Sequence, residues 1–389
     1  MIRVACAALA LALGAGCASV PDRARPLPGA LAPDARMAGI PDARYWGDVR
    51  TPALGAWIDA PDAELRARYG GIMDREHHYL ALSGGGEDGA YGAGLLVGWT
   101  EAGTRPEFTV VTGVSTGALI APFAFLGPAY DGRLEQLFTS TGGRDLVEPR
   151  GLLEFLRNDA AASTRPLRRL IERTVDDDVV EAIAREHRRG RGLLIGTTNL
   201  DAGRPVTWNV GAIAASGAPG ARSLIHDVML ASASIPVAFP PVVVEVEAGG
   251  GRYTELHVDG GVSAQLFLYP SSVDWRKVTQ RLGVVGAPRL YVVRNAKLTP
   301  TWRTVERQVF PIAGAAISTL IRTQGVGDLA RTHADANRDG IEFRLSFIPA
   351  SFDATSARPF DPDYMRALYA VGRRAGRDGT AWTREAGPP

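Results

Sequence analysis

The stretch Tyr79-Leu-Ala-Leu-Ser-Gly-Gly-Gly-Glu-Asp-Gly-Ala-Tyr-Gly92 and its sequel Phe108-Thr-Val-Val-Thr-Gly-Val-Ser-Thr-Gly117 constrain this chain more than any other part of it. Each half is a short apolar run that ends in glycines and opens into a helix. The pattern describes two buried strands of one sheet, each followed by a turn that sets backbone N–H groups at a helix N-terminus. The second turn also carries a serine hydroxyl. Val110-Val111 shows no polar alternation, as expected of a strand covered on both faces.

In detail, a strand is predicted over Tyr79–Leu82. Gly84-Gly85-Gly86 with Gly89 turns it into a helix over about 90–102, with Leu95, Leu96 and Trp99 at core-facing spacing. Phe108–Thr112 is the second strand, and Gly113-Val-Ser-Thr-Gly117 turns sharply into the apolar helix Ala118–Leu126. The helical, more charged segment 131–191 reads as an outer layer. Strands follow over 193–198 and 205–210, then a helix over 222–233 that stops at Ile235-Pro236. Val242–Glu247 and Tyr253–Val258 flank Gly249-Gly-Gly251 as a hairpin whose second arm delivers Asp259-Gly260-Gly261. Later elements are a strand at 290–293, a helical stretch from Trp302 to Asp335, a strand at 341–347 and a closing helix over 361–377. Within the helical stretch, residues 309–321 carry no charge but are too few to span a bilayer. A core helix is one reading of them and a lipid-facing lid the other. No internal repeat or second composition regime appears, so a single catalytic domain is expected over 45–380, with a tail at 381–389.

Composition narrows the function. A net charge of +1 with no dense basic block excludes a nucleic-acid footprint. The only cysteines are Cys6 and Cys17, so the folded body has no thiol for a disulfide or a zinc site. Arg3, the apolar run Val4–Ala15 and the small residues that follow make a secretory leader. Its ending, Leu13-Gly14-Ala15-Gly16-Cys17, resembles a bacterial lipoprotein signal, with Leu13 one place further from the cysteine than is usual. That resemblance implies lipidation of Cys17 and an exported chain anchored on a membrane surface; an ordinary cleaved leader, giving a periplasmic or secreted protein, is the alternative. Proline- and alanine-rich residues 18–44 read as a flexible tether.

A serine on a strained strand-to-helix turn is exposed to act as a nucleophile, and the helix behind it favours developing negative charge. Ser115 is the candidate. The base could be a histidine, His257 or His333, as in a triad, or the carboxylate of Asp259, which stands at a strand end before two glycines. The dyad fits the local pattern better. A carboxylate base near its ordinary value would be weak, so Asp259 is expected to be largely buried.

At this point the sequence resembles the patatin-like phospholipases, in their bacterial exported branch. The motifs Gly84-Gly85-Gly86-x-x-Gly89, Gly113-x-Ser115-x-Gly117 and Asp259-Gly260-Gly261 occur in order, and Ala231–Pro241 is similar to the segment that precedes the acid. The resemblance implies an α/β fold, a three-layer α/β/α sandwich with a mostly parallel central sheet. It also implies a serine acyl hydrolase acting on lipid esters without metal or cofactor, with Ser115 as nucleophile, Asp259 as base and the N–H groups of Gly84, Gly85 and Gly86 as the oxyanion hole. Many members carry a basic residue in the glycine loop; here Asp88 follows Glu87, so that charge is absent or supplied elsewhere.

Other readings stay in view. Gly84-x-Gly86-x-x-Gly89 also fits a dinucleotide fingerprint, with Glu107 as its acidic partner. Asp335-x-Asn337-x-Asp339-Gly340 opens like a calcium loop but has Ser346 where a glutamate belongs. Beyond lipid hydrolysis, the alternatives are a carboxylesterase or thioesterase of soluble esters and a non-catalytic surface lipoprotein. The sequence leaves the oligomeric state open.

Overall fold

The computed structural model describes residues 23–386, apart from 141, 144–147, 150–159, 161, 301 and 303. The expected leader with Cys6 and Cys17, and the first residues of the expected tether, lie outside this range.

In chain order, the strands of the central sheet are β1 (Arg44–Trp46), β2 (His78–Leu82), β3 (Val110–Val114), β4 (Gly192–Asn199), β5 (Arg204–Asn209), β6 (Val242–Ala248), β7 (Gly251–Asp259), β8 (Arg289–Arg294) and β9 (Glu342–Phe347). The helices that matter to the site are α1 (Pro52–Asp59), α2 (Asp62–Tyr69), α3 (Gly89–Glu101), α4 (Thr116–Leu126), α5 (Asp131–Thr139), α6 (Arg165–Thr174), α7 (Asp177–Arg188), α8 (Val210–Ala215), α9 (Ala221–Ser232), α10 (Trp275–Arg281), α11 (Val309–Arg338) and α12 (Pro362–Arg377).

The sheet runs β1-β5-β4-β3-β2-β8-β9, with the β6–β7 hairpin joining through β7 to β4. Strands β4, β3, β2, β8 and β9 are parallel to one another, and β1, β5 and β7 pair antiparallel. A mostly parallel sheet covered by helices on both faces explains the continuous apolar character of Leu80–Leu82 and Val110–Val111. One face, with Leu80, Leu82, Val111, Leu193 and Ile195, buries the main core beneath α3, α4, α9 and α12. The other, with Tyr79, Ala81, Leu290, Val292 and Leu345, packs on the second half of α11 through Leu329 and Ala336.

Helix α3 departs from the expected one-faced pattern: Gly89 through Trp99 are buried all round. The cause is α12, which lies directly on it. A Cβ at Gly94 would fall 2.1 Å from the Tyr369 carbonyl oxygen and one at Gly98 2.0 Å from that of Arg373, while Gly372 and Gly376 make the reciprocal approaches to Tyr91 and Leu95. Two pairs of glycines, each four residues apart, thus let the backbones touch, and α3 becomes a central element.

The expected tether is different as well. From Pro26 onward it is seated on the hairpin: Leu27 N–H donates to Thr254 O, Arg36 exchanges both backbone bonds with Glu247, and β1 adds to β5. Ile40 and Ala43 are buried. Backbone pairing to an open strand edge needs no sequence periodicity, so a proline-rich composition conceals it.

Gly98→Ala should destabilise the protein by about 1–3 kcal/mol, the range for overpacking a tight contact, because the new methyl meets backbone that cannot rotate away. Urea unfolding of the two proteins measures this; an unchanged midpoint would mean that the helices separate freely.

Candidate active site

Strand register brings the two expected catalytic residues together. β3 pairs with Gly192–Gly196 of β4, ending at Val114↔Gly196. On the same edge β4 continues beyond β3, and there β7 pairs from the opposite direction, placing Asp259 opposite Thr197. The ends of β3 and β7 therefore meet, and Ser115, the residue after β3, lies where Asp259 finishes β7.

Ser115 has φ 56° and ψ −124°, a conformation that costs a non-glycine residue on the order of 1–3 kcal/mol. Its surroundings hold it there. A Cβ at Gly113 would lie 2.4 Å from Gly117 O, and one at Gly117 2.3 Å from Leu82 O, so the elbow closes only with glycine at both places. The Ser115 N–H donates to Ser232 Oγ at 2.9 Å, and that hydroxyl donates on to Gly196 O at 2.7 Å. Helix α4 begins immediately, so the serine sits at its positive end.

Asp259 is 2 % exposed. Its Oδ1 accepts the Gly261 N–H at 2.7 Å, and its backbone N–H donates to Ser234 O. Gly260 and Gly261 open the short turn that makes this possible. Oδ2 is buried without a hydrogen-bond partner among the described residues. Burial raises the carboxyl from 3.8 to about 7, against the smaller opposing pull of the Ser115 hydroxyl and the Gly261 N–H. A carboxylate tuned to neutrality, with one oxygen unengaged, can take a proton from a neighbouring hydroxyl.

The glycine loop lies against the serine: a Cβ at Gly84 would come within 3.0 Å of Ser115 Cβ. Its three N–H groups are not equivalent. That of Gly84 is turned to Gln265 O in a long 3.4 Å bond, whereas those of Gly85 and Gly86 donate to no acceptor among the described residues. Gly89 begins α3 against Thr116, where a Cβ would meet Oγ1 at 2.1 Å. Asn295 locks the loop from behind, its Nδ2 donating to Ser83 O and its Oδ1 accepting Gly92 N–H.

Asp88 does not face open solvent. Tyr364 OH donates to it at 2.6 Å, and burial pushes its carboxyl up to about 6 against the pull of that hydroxyl and of Lys297. Lys297, just beyond β8, lies close enough to pull on the Asp88 carboxyl. Gln265 fills the gap between loop and base, its Oε1 next to Gly84 and its Nε2 next to Gly261. Gln265 and Asn295 are isolated polar residues in loops and carry no motif; Ser232 lies in the Ala231–Pro241 run but had no assigned role.

Ser115, Thr116 and Gly86 open into a narrow cavity of about 50 Å³ whose remaining lining is apolar, with Leu119, Phe138, Leu167, Leu170 and Phe239 among it. A larger cavity of about 730 Å³ lies at the other end of the sheet, against the first residues of β2, β3 and β4, and shares none of these side chains.

The histidines are elsewhere engaged. His257 is buried with Nδ1 2.9 Å from Thr197 Oγ1 and Nε2 3.0 Å from the Glu255 carboxylate, which itself pairs with Arg44. His333, on α11, lies tilted against the Phe343 ring of β9, with ring centroids 4.7 Å apart. Glu107 precedes β3 and lies near Arg189 and Arg191, at the end of the sheet remote from the glycine loop. Asp335 and Asp339 close the end of α11 by bonding Ser271, Tyr269 and Arg338, and no metal-binding cluster occurs among the described residues.

Folding lifts the Asp259 carboxyl from 3.8 to about 7, so between those values the native state holds a proton that the unfolded chain has released. This stability is fully present below about pH 4 and is lost as pH rises through 7. Asp259→Asn, which cannot ionise, should gain in Tm over the wild type as pH is raised from 4 to 8. Parallel Tm–pH curves would contradict the buried carboxyl.

No curated protein shows significant similarity to the chain. Among solved structures, VipD from Legionella pneumophila is similar at 13% identity and a TM-score of 0.32, over 78% of this chain and 67% of that one. The family model described as patatin-like phospholipase matches residues 80–269, a span that holds the glycine loop, the serine elbow and the Asp-Gly-Gly turn. Residues 80–269 of this chain are a patatin-like phospholipase domain, which supports a lipid hydrolase.

Proposed function

We propose that this protein is a serine acyl hydrolase that cleaves carboxylic esters of glycerolipids through a Ser115–Asp259 dyad. The observation that carries the reading is the end-to-end meeting of β3 and β7, which sets a strained serine beside a buried carboxyl raised to about 7. Ser115 Oγ attacks the ester carbonyl carbon and its proton passes to Asp259 Oδ2. The oxyanion is met by the N–H groups of Gly85 and Gly86 and by the N-terminus of α4. Gly84, drawn to Gln265, serves by bringing the loop close to the serine. As the tetrahedral intermediate collapses, Asp259 returns the proton to the leaving alkoxide, leaving an acyl-serine. Water then attacks that ester, gives its proton to Asp259, and releases the fatty acid as Ser115 is re-protonated.

The cavity beside Ser115 supports a hydrocarbon acyl group, since beyond Ser115 and Thr116 its side chains are apolar. No step draws on a metal or an organic cofactor. We propose further that the N-terminal leader exports the chain and that Cys17 is lipidated, holding the domain at a membrane surface. Cys17→Ser should then abolish incorporation of labelled fatty acid into the protein; labelling that persists would refute lipidation at that residue.

Hydrolysis of a short-chain nitrophenyl ester and of phospholipid vesicles, by wild type, Ser115→Ala and Asp259→Asn, tests the reaction. Both variants should lose at least about a thousandfold in kcat/KM, consistent with removal of nucleophile or base. Because Asp259 works only when ionised, wild-type kcat/KM should rise with pH through about 7 and level off above it. Turnover of the soluble ester alone would turn the reading to a general esterase, and no turnover of either to a non-catalytic lipoprotein.

A further inference from the structure

Helix α11 divides sharply into two halves. From Gly325 onward its buried residues, Gly325, Asp328, Leu329, Thr332 and Ala336, recur at three- and four-residue spacing in one stripe against the domain. From Pro311 to Gln324 no residue is buried. Yet Val309–Ile321 contains no charged side chain, and Ile312 and Leu320 are 51 % and 69 % exposed.

The uncovered half has a definite place. The helix ends at Arg338 beside Tyr269 and Trp275, at the starting ends of β8 and β9. Gln324 and Asp328 are level with the catalytic end, where they bond Ser263 O and Gln265 N–H. At 1.5 Å rise per residue, the fifteen or so residues before Gln324 extend roughly 20 Å past that end of the sheet. The overhang is thus apolar, unburied from Pro311 to Gln324, and next to the candidate active site.

A helix this apolar is normally enclosed, and from Pro311 to Gln324 no residue of this one is buried by its own chain. Its borders indicate what encloses it. Trp302, a few residues ahead, is 94 % exposed, and tryptophan favours the headgroup level of a bilayer. Arg307 and Arg322 flank the apolar run, make no ion pair among the described residues, and have no acidic residue between them, which complements anionic headgroups. No described helix is long and apolar enough to cross a membrane, so the fitting arrangement is one lying along the surface. We propose that the first half of α11 is an interfacial helix that docks the domain, active-site end first, on an anionic lipid surface. The proposal rests on the lipid-hydrolase reading for its purpose, but docking can be measured without catalysis.

The test compares full-length wild type with Ile312→Glu/Leu320→Glu, two exposed positions outside the catalytic machinery, for flotation with phosphatidylethanolamine–phosphatidylglycerol vesicles. Both share one N-terminus, so any anchor acts equally on both. The double variant should bind at least about tenfold more weakly, release fatty acid from the vesicles correspondingly more slowly, and keep wild-type turnover of a soluble ester. Ser115→Ala should bind like wild type. If wild type binds but no fatty acid is released, docking stands and the hydrolase reading fails. Equal binding by wild type and the double variant overturns docking. So does a wild-type dimer in sedimentation that the double variant dissociates, since the face would then belong to a second copy of the chain.

Discussion

Strand β4 is longer than its parallel neighbour β3, and the residues by which it overshoots, Thr197–Asn199, pair instead with β7 arriving from the other direction. That division of one strand edge sets the rest of the site. It brings the β3–α4 turn and the end of β7 to the same point, with the β6–β7 hairpin joining β4 antiparallel. Thr198 ties the junction, its hydroxyl donating to Asp259 O at 3.0 Å. Ser232 ties it from the helix side by bonding both Ser115 N–H and Gly196 O.

Two unfavourable features are concentrated at this junction: a serine backbone in a sparsely populated conformation and a carboxyl deprived of water. Each persists because the surrounding packing determines it. Behind the serine, α4 is buried from Thr116 to Phe125 except for Leu119. Behind the glycine loop, Asn295 satisfies backbone groups of Ser83 and Gly92, and α3 is fixed by α12 through backbone-to-backbone contact. The reactive groups therefore sit on rigid elements, while the cavity they face is apolar.

Much of this was legible in the sequence. The two strand–glycine–helix units and the hairpin ending at Asp259 announce themselves because glycine punctuation and apolar runs are local signals. The burial expected for Asp259 is present. What could not be read depends on distant partners. Gln265 and Asn295 matter only through what they touch, and Gly94, Gly98, Gly372 and Gly376 look like weak helix residues until the two helices are brought together. Residues 18–44 resembled a tether because the backbone pairing to the hairpin, from Pro26 onward, leaves no periodic trace. The N–H groups of Gly84, Gly85 and Gly86 were all expected in the oxyanion hole, and only the fold shows that Gly84 is turned toward Gln265.

The meeting of β3 and β7 also ties function to the order of assembly. Ser115 and Asp259 lie more than a third of the chain apart and come together only after both strands have docked on β4, a late event for contacts so distant in sequence. A chain still emerging, or one folded without its hairpin, would hold Ser115 without Asp259 beside it. The pairing of these two side chains is thereby withheld until the sheet is complete, a property of the topology and of no single residue.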